Sequence, residues 1–125
     1  MTPKDKAIAA ILAERERQVS VEGWTPEHDD RHDKRELLQA ALIYYVSGAV
    51  KDAPLAMRID GAPIAWPWDA SWWKSGPPQR DLVRAGALCR AEMDRLKRKY
   101  GPYAPVDYEQ DWLELIVAAL AALEA

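Results

Sequence analysis

Four tryptophans, Trp66, Trp68, Trp72 and Trp73, fall within eight residues of a chain that contains no phenylalanine. Each brings a large apolar ring and one N–H donor, so the cluster has to be shared between a core and a polar boundary. Pro67 lies inside it, and Ser75-Gly76-Pro77-Pro78 follows closely, which argues against a long helix or a central strand there. A fold for this sequence is therefore built around an irregular aromatic loop flanked by regular elements. The irregular stretch spans residues 49–79, and one this long in a compact domain is more often functional than a plain connector. Within it, Asp60-Gly61 between Met57-Arg58-Ile59 and Ala62-Pro63-Ile64 suggests a small hairpin, weakened by Pro63.

The flanks read as helices. Thr2-Pro3 can cap and start the first, in which Ile8, Ile11, Leu12 and Val19 recur near helical spacing, and Gly23 is a plausible stop. A polar connector runs from Trp24 to His32. The second helix is expected at Asp33, with Glu36 as capping-box partner and an apolar face at Leu37, Leu38, Ala41, Leu42, Tyr45 and Val46. A third spans about Gln79 to Lys99, with Leu82, Ala85, Cys89, Met93 and Leu96 inward and Gly101-Pro102 ending it. Asp107 can cap a fourth. From Trp112 onward that helix is apolar except for Glu114 and Glu124, so it needs a core or another subunit to cover it. The expectation is an all-α fold of about four helices in one domain, residues 1–125, with the long Trp/Pro-rich loop between helices two and three, forming a homo-oligomer.

Charge narrows the partners. Seventeen Lys and Arg against twenty Asp and Glu give a net charge of −3, which disfavours an electrostatic grip on nucleic acid but leaves basic groups for a small anion. No stretch reaches the ~18 apolar residues of a membrane span, and no leader pattern opens the chain. The single cysteine, Cys89, reads as a core thiol, and the expected location is cytoplasmic.

Two groups of residues carry candidate chemistry. Carboxylates at Glu14, Glu36 and Asp81 come from three different helices, and hard cations such as Mg²⁺ favour oxygen ligands of this kind. Each also has a plainer use, Glu36 in a cap and Asp81 as a favourable charge at a helix N-terminus. His28 and His32 form only a weak transition-metal pair. In the loop, Trp66, Trp68, Trp72 and Trp73 can stack on a base, while Arg17, Lys74, Arg80 and Arg84 can pair with phosphate. Core packing is the alternative use of some of these rings. Asp69 has to reach solvent, a basic group or a ligand, because an unpaired buried carboxylate is costly.

Taken together, Glu14-Arg15-Glu16-Arg17-Gln18, Glu22-Gly23-Trp24-Thr25-Pro26-Glu27-His28-Asp29-Asp30, Glu36-Leu37, Trp66-Pro67-Trp68-Asp69, Trp72-Trp73-Lys74 and Arg80-Asp81-Leu82-Val83-Arg84-Ala85-Gly86-Ala87-Leu88 resemble a family of small phage and prophage proteins. The order of these blocks also looks like phage members of the MazG-like all-α nucleoside triphosphate pyrophosphohydrolases. That resemblance implies a helical oligomer using Mg²⁺ to split a nucleoside triphosphate into monophosphate and pyrophosphate. It implies carboxylates in a Glu-x-x-Glu and a Glu-x-x-Asp pair on successive helices. Glu36 and Asp81 fit the first position of each pair; Gln39 and Arg84 stand at the second. Three readings follow: an Mg²⁺-dependent hydrolase with Glu36 and Asp81 catalytic and Glu14 as a further ligand; a nucleotide binder lacking the full cage; or a helical module whose loop docks on a protein.

Overall fold

The computed structural model describes residues 1–124. Among them are five α-helices, α1 (Pro3–Ser20), α2 (Pro26–Asp30), α3 (Glu36–Ala49), α4 (Pro78–Tyr100) and α5 (Asp107–Ala122), and a 3₁₀ turn at Ala70–Trp72. The all-α expectation is met, with one short helix more than the four anticipated. No helix is long and apolar enough to cross a membrane.

The four long helices lie close to where periodicity puts them, because their apolar faces are local patterns. At α1, Thr2 and Asp5 exchange hydrogen bonds of 3.1 and 3.2 Å in a capping box, and Pro3 occupies the first turn, where its missing N–H costs nothing. Helix α4 is the centre of the molecule. It packs against α3 on one side and against α1 and α5 on others, burying Leu82, Ala85, Leu88, Cys89 and Ala91. Burial pushes the Cys89 thiol up to about 12, consistent with the core role expected for it.

Helix α3 starts later than expected. Glu36, anticipated as the partner of an Asp33 cap, is itself the first helical residue, and its carboxylate accepts from the Lys34 backbone N–H at 2.6 Å. Arg35 before it adopts a left-handed backbone, φ +67°, which an L side chain enters at a cost of roughly 1–2 kcal/mol. Two buried carboxylates hold it there, Glu109 at 2.7 Å and Glu92 at 3.4 Å. Tertiary charge pairing thus overrides a local capping signal. The anticipated hairpin at Asp60-Gly61 reduces to one isolated bridge between Met57 and Pro63. The connector after Trp24, read as irregular, instead contains α2, with Thr25 capping it and Pro26 in its first turn.

The approach of α3 to α4 depends on Gly48. A Cβ placed there would lie 2.8 Å from the Pro78 carbonyl oxygen and 2.9 Å from Leu82 Cγ. Backbone cannot yield as a flexible side chain does. Gly48→Ala should therefore destabilise the fold by about 1–3 kcal/mol, despite an intrinsic helix gain of roughly 1 kcal/mol. Urea unfolding followed by circular dichroism measures this; a variant of equal or greater stability would show that the contact is not tight.

Candidate functional site

Three anchors turn the irregular stretch into a defined wall. At its start, Arg58 binds Asp60 in bidentate fashion (2.6 and 2.9 Å) and reaches the carbonyls of Trp66 and Trp68. In the middle, the Lys74 backbone N–H donates to the Tyr44 hydroxyl oxygen at 2.9 Å. At its end, the buried Asp81 carboxylate accepts from Ser47 Oγ (2.8 Å), Ser75 Oγ (3.0 Å) and the Gly76 N–H (2.9 Å). One carboxylate therefore ties loop, α3 and α4 together.

The loop tryptophans divide between the core and an open face. Trp66 is buried, donates to the Asp69 carbonyl at 3.1 Å and packs edge-on against Tyr44. Trp73 stacks on Tyr44 with centroids 4.6 Å apart. These two rings plug the core. Trp68 and Trp72 turn the other way, and there Trp24 meets both, at 5.9 and 5.8 Å. His28 from α2 stacks parallel on Trp24 at 5.6 Å, and His32 lies 5.0 Å from Trp68. Together with Asp69 these side chains line an open cleft of about 300 Å³, at the small end of the range for ligand sites. Asp69 itself is exposed and caps the 3₁₀ turn through the Ser71 N–H, which holds its carboxyl below the usual range.

A narrower, charged recess adjoins the cleft and shares Trp24 and Trp72 with it. Arg17, Gln18, Tyr44, Lys74 and Arg84 contribute, with Glu14 and Glu22, to a space of about 20 Å³. Glu14 is buried at its base. Burial pushes its carboxyl up, but hydrogen bonds from Arg17 and Arg80 outweigh that and leave it below its ordinary value. The partners lie at 2.8 Å (Arg17 Nε) and 2.6 Å (Arg80). Arg84 sits 5.9 Å over the Tyr44 ring and 3.6 Å from Asp81, too far for a hydrogen bond.

Three buried polar atoms around this junction have no hydrogen-bond partner among the described residues: Trp68 Nε1, Arg84 Nη1 and Gln18 Oε1. An unmatched buried donor or acceptor costs roughly 1–3 kcal/mol. All three lie beneath the surface, so each can meet a ligand only where a neighbouring side chain moves.

The three carboxylates expected around Mg²⁺ do not converge within the chain. Asp81 is bonded to Ser47, eleven residues beyond Glu36 on α3, about 16 Å of helix rise. Ligand oxygens near ~2.1 Å from one Mg²⁺ cannot span that distance. Glu36 instead meets His32 Nδ1 at 3.3 Å and so backs the aromatic cleft. Glu14 and Asp81 do share the Tyr44 neighbourhood, but their oxygens already face Arg17, Arg80 and Gln18, or Ser47, Ser75 and Gly76. No group of three or more His, Cys, Asp or Glu among the described residues is arranged to hold a metal. The donor set does not fit the ion.

No family model, curated protein or solved structure matches this chain. The reading of the site rests on its own geometry. That geometry joins Trp68, Asp69, Trp72, Lys74, Arg84, Arg17 and Glu14 of the anticipated set, while Arg80 acts through Glu14 and Trp66 and Trp73 serve the core. Trp24 and Tyr44 were not anticipated as site residues, and His28 and His32 were weighed only as metal ligands. Their role arises from contacts between residues 24–32 and 68–72, far apart in sequence. The only hint was a tryptophan in the turn after α1, where Trp24 is half-buried against the core.

Two outcomes follow. Asp81→Ala removes the shared acceptor of Ser47 Oγ, Ser75 Oγ and the Gly76 N–H and should cost about 1–3 kcal/mol, read by chemical denaturation, with Asp81→Asn costing less. Glu14 ionises more readily folded than unfolded, so its contribution is complete above 4.5 and is lost as pH falls through the lowered folded value. Stability measured against pH should fall over that acid window, and Glu14→Gln should flatten the slope there.

Proposed function

We propose that this chain binds a nucleotide at the junction of the aromatic cleft and the charged recess, and holds it without metal-dependent cleavage. On this reading it is a nucleotide-handling protein of MazG-like type that uses the binding half of that chemistry. The observation that carries it is the adjacency of Trp68 and Trp72 with Trp24 on one side, and Arg17, Lys74 and Arg84 on the other, with buried unpartnered atoms between. A base stacks among the indole rings, worth roughly 1–3 kcal/mol per base. Phosphate oxygens accept from Arg84 Nη1 and the Lys74 ammonium, charge-assisted bonds about twice as strong as neutral ones.

The recess admits little more than a water molecule, so a phosphate enters it only as Trp72 swings out. Trp72 is suited to this, being 41% exposed at the seam of the two spaces. Retention rather than hydrolysis is favoured by what surrounds the carboxylates. Glu14 and Asp81 are committed to arginines, hydroxyls and an N–H, and a cation, Arg84, stands where a second metal-binding carboxylate would be needed.

Thermal unfolding with a panel of nucleoside mono-, di- and triphosphates and cyclic nucleotides tests the reading. A true ligand at a hundred times its Kd should stabilise by about 2.7 kcal/mol. Trp72→Ala should weaken it about five- to 150-fold. Lys74→Ala should weaken a triphosphate while sparing the nucleoside. If no member of the panel shifts the transition, nucleotide binding is ruled out. Release of monophosphate and pyrophosphate in the presence of Mg²⁺ would instead favour the hydrolase.

A further inference from the structure

His28 and His32 line the aromatic cleft but take no part in the ligand contacts assigned above. Each is tied through Nδ1 to a carboxylate, His28 to Asp29 at 3.1 Å and His32 to Glu36 at 3.3 Å. Those carboxylates are themselves held in place. Asp29 is fully buried and pairs with Arg15, and Glu36 accepts from the Lys34 backbone N–H. A carboxylate only accepts, so in the neutral imidazoles Nδ1 carries the proton and Nε2 keeps its lone pair. Neither Nε2 has a hydrogen-bond partner among the described residues.

The cleft lining consists of Trp24, Trp68 and Trp72 with His28, His32 and Asp69. The indoles supply flat faces. The other three supply acceptors: two Nε2 lone pairs and a carboxylate of which one oxygen takes the Ser71 N–H. The two imidazoles stand four residues apart with centroids 4.9 Å from each other, so one planar edge can meet both. A set of acceptors selects an edge made of donors, because an acceptor on the ligand would face a lone pair. Among the common nucleobases, guanine alone places two N–H groups side by side, at N1 and at the 2-amino group. Adenine and cytosine set their single amino group beside an acceptor nitrogen, and uracil sets its N–H between two carbonyls.

We infer that the cleft selects guanine, with His28 and His32 accepting from N1–H and the 2-amino group and Asp69 adding an acceptor beside them. This rests on the nucleotide reading proposed above, and experiment separates the two. The full chain is titrated calorimetrically with GMP, IMP, AMP and CMP at about pH 8, where unperturbed imidazole is neutral. IMP lacks only the 2-amino group of GMP and so leaves one acceptor unmatched. GMP should bind about five- to 150-fold more tightly than IMP, with AMP and CMP no tighter than IMP. Replacing both histidines, His28→Ala with His32→Ala, should bring GMP and IMP together, whereas His28→Gln with His32→Gln keeps amide acceptors and should retain part of the preference. Equal binding of GMP and IMP by the unaltered chain overturns guanine selection while leaving nucleotide binding intact. Binding of none of the four overturns both. A GMP preference undiminished in the paired alanine variant overturns the assignment to these histidines.

Discussion

The buried carboxylate of Asp81 is the interaction on which the site depends. It sits in the first turn of α4, where the helix dipole favours a negative charge, and it accepts from three donors supplied by α3 and the loop. Such a charge could not stay buried unpaired, so Ser47, Ser75 and Gly76 are drawn to one point. The close passage of α3 over α4 at Gly48 makes the reach from Ser47 possible. With that end of the loop fixed, Lys74 meets Tyr44, and Trp66 and Trp73 close around the Tyr44 ring. Trp72 is left exposed and Trp68 half-buried, edge-on against Trp66, and together they form one wall of the cleft.

Electrostatics then separates holding from cutting. A metal cage needs carboxylate oxygens with free lone pairs within a few ångströms of one another. Here Glu14 spends its oxygens on Arg17, Arg80 and Gln18, and Glu36 spends its own on His32 and the Lys34 N–H. Arg17 and Arg80 are spent in such pairs, whereas Arg84 keeps its Nη1 buried, 3.6 Å from Asp81 and without a hydrogen bond. The balance of free groups is therefore cationic at the recess even though the whole chain is acidic. A local excess of donors beside aromatic faces favours an anion carrying a flat ring.

The helices were legible in the sequence because their information is local. Apolar spacing along α1, α3 and α4, the Thr2-Pro3 start and the Gly101-Pro102 stop each depend on residues within a turn or two. The misjudged start of α3 shows the limit. Asp33 and Glu36 have the right spacing for a capping box, yet Arg35 is pulled into a left-handed conformation by Glu92 and Glu109, from α4 and α5. The loop rings were legible as a cluster, but not their partners. Trp24, His28 and His32 enter only because α2 folds back to meet Trp68 and Trp72, and no local spacing announces that.

Helix α1 shows how one element can serve two surfaces without conflict. Glu14, Arg17 and Gln18 line the charged recess, while Lys4, Ile8 and Leu12 line a groove between α1 and α5. At about 100° per residue, the centres of the two stripes lie on different sides of the helix. The floor of that groove is α5, whose Leu113 and Val117 are already buried within the single chain. The two faces of one helix thus draw on different residues, and a change on one leaves the other intact.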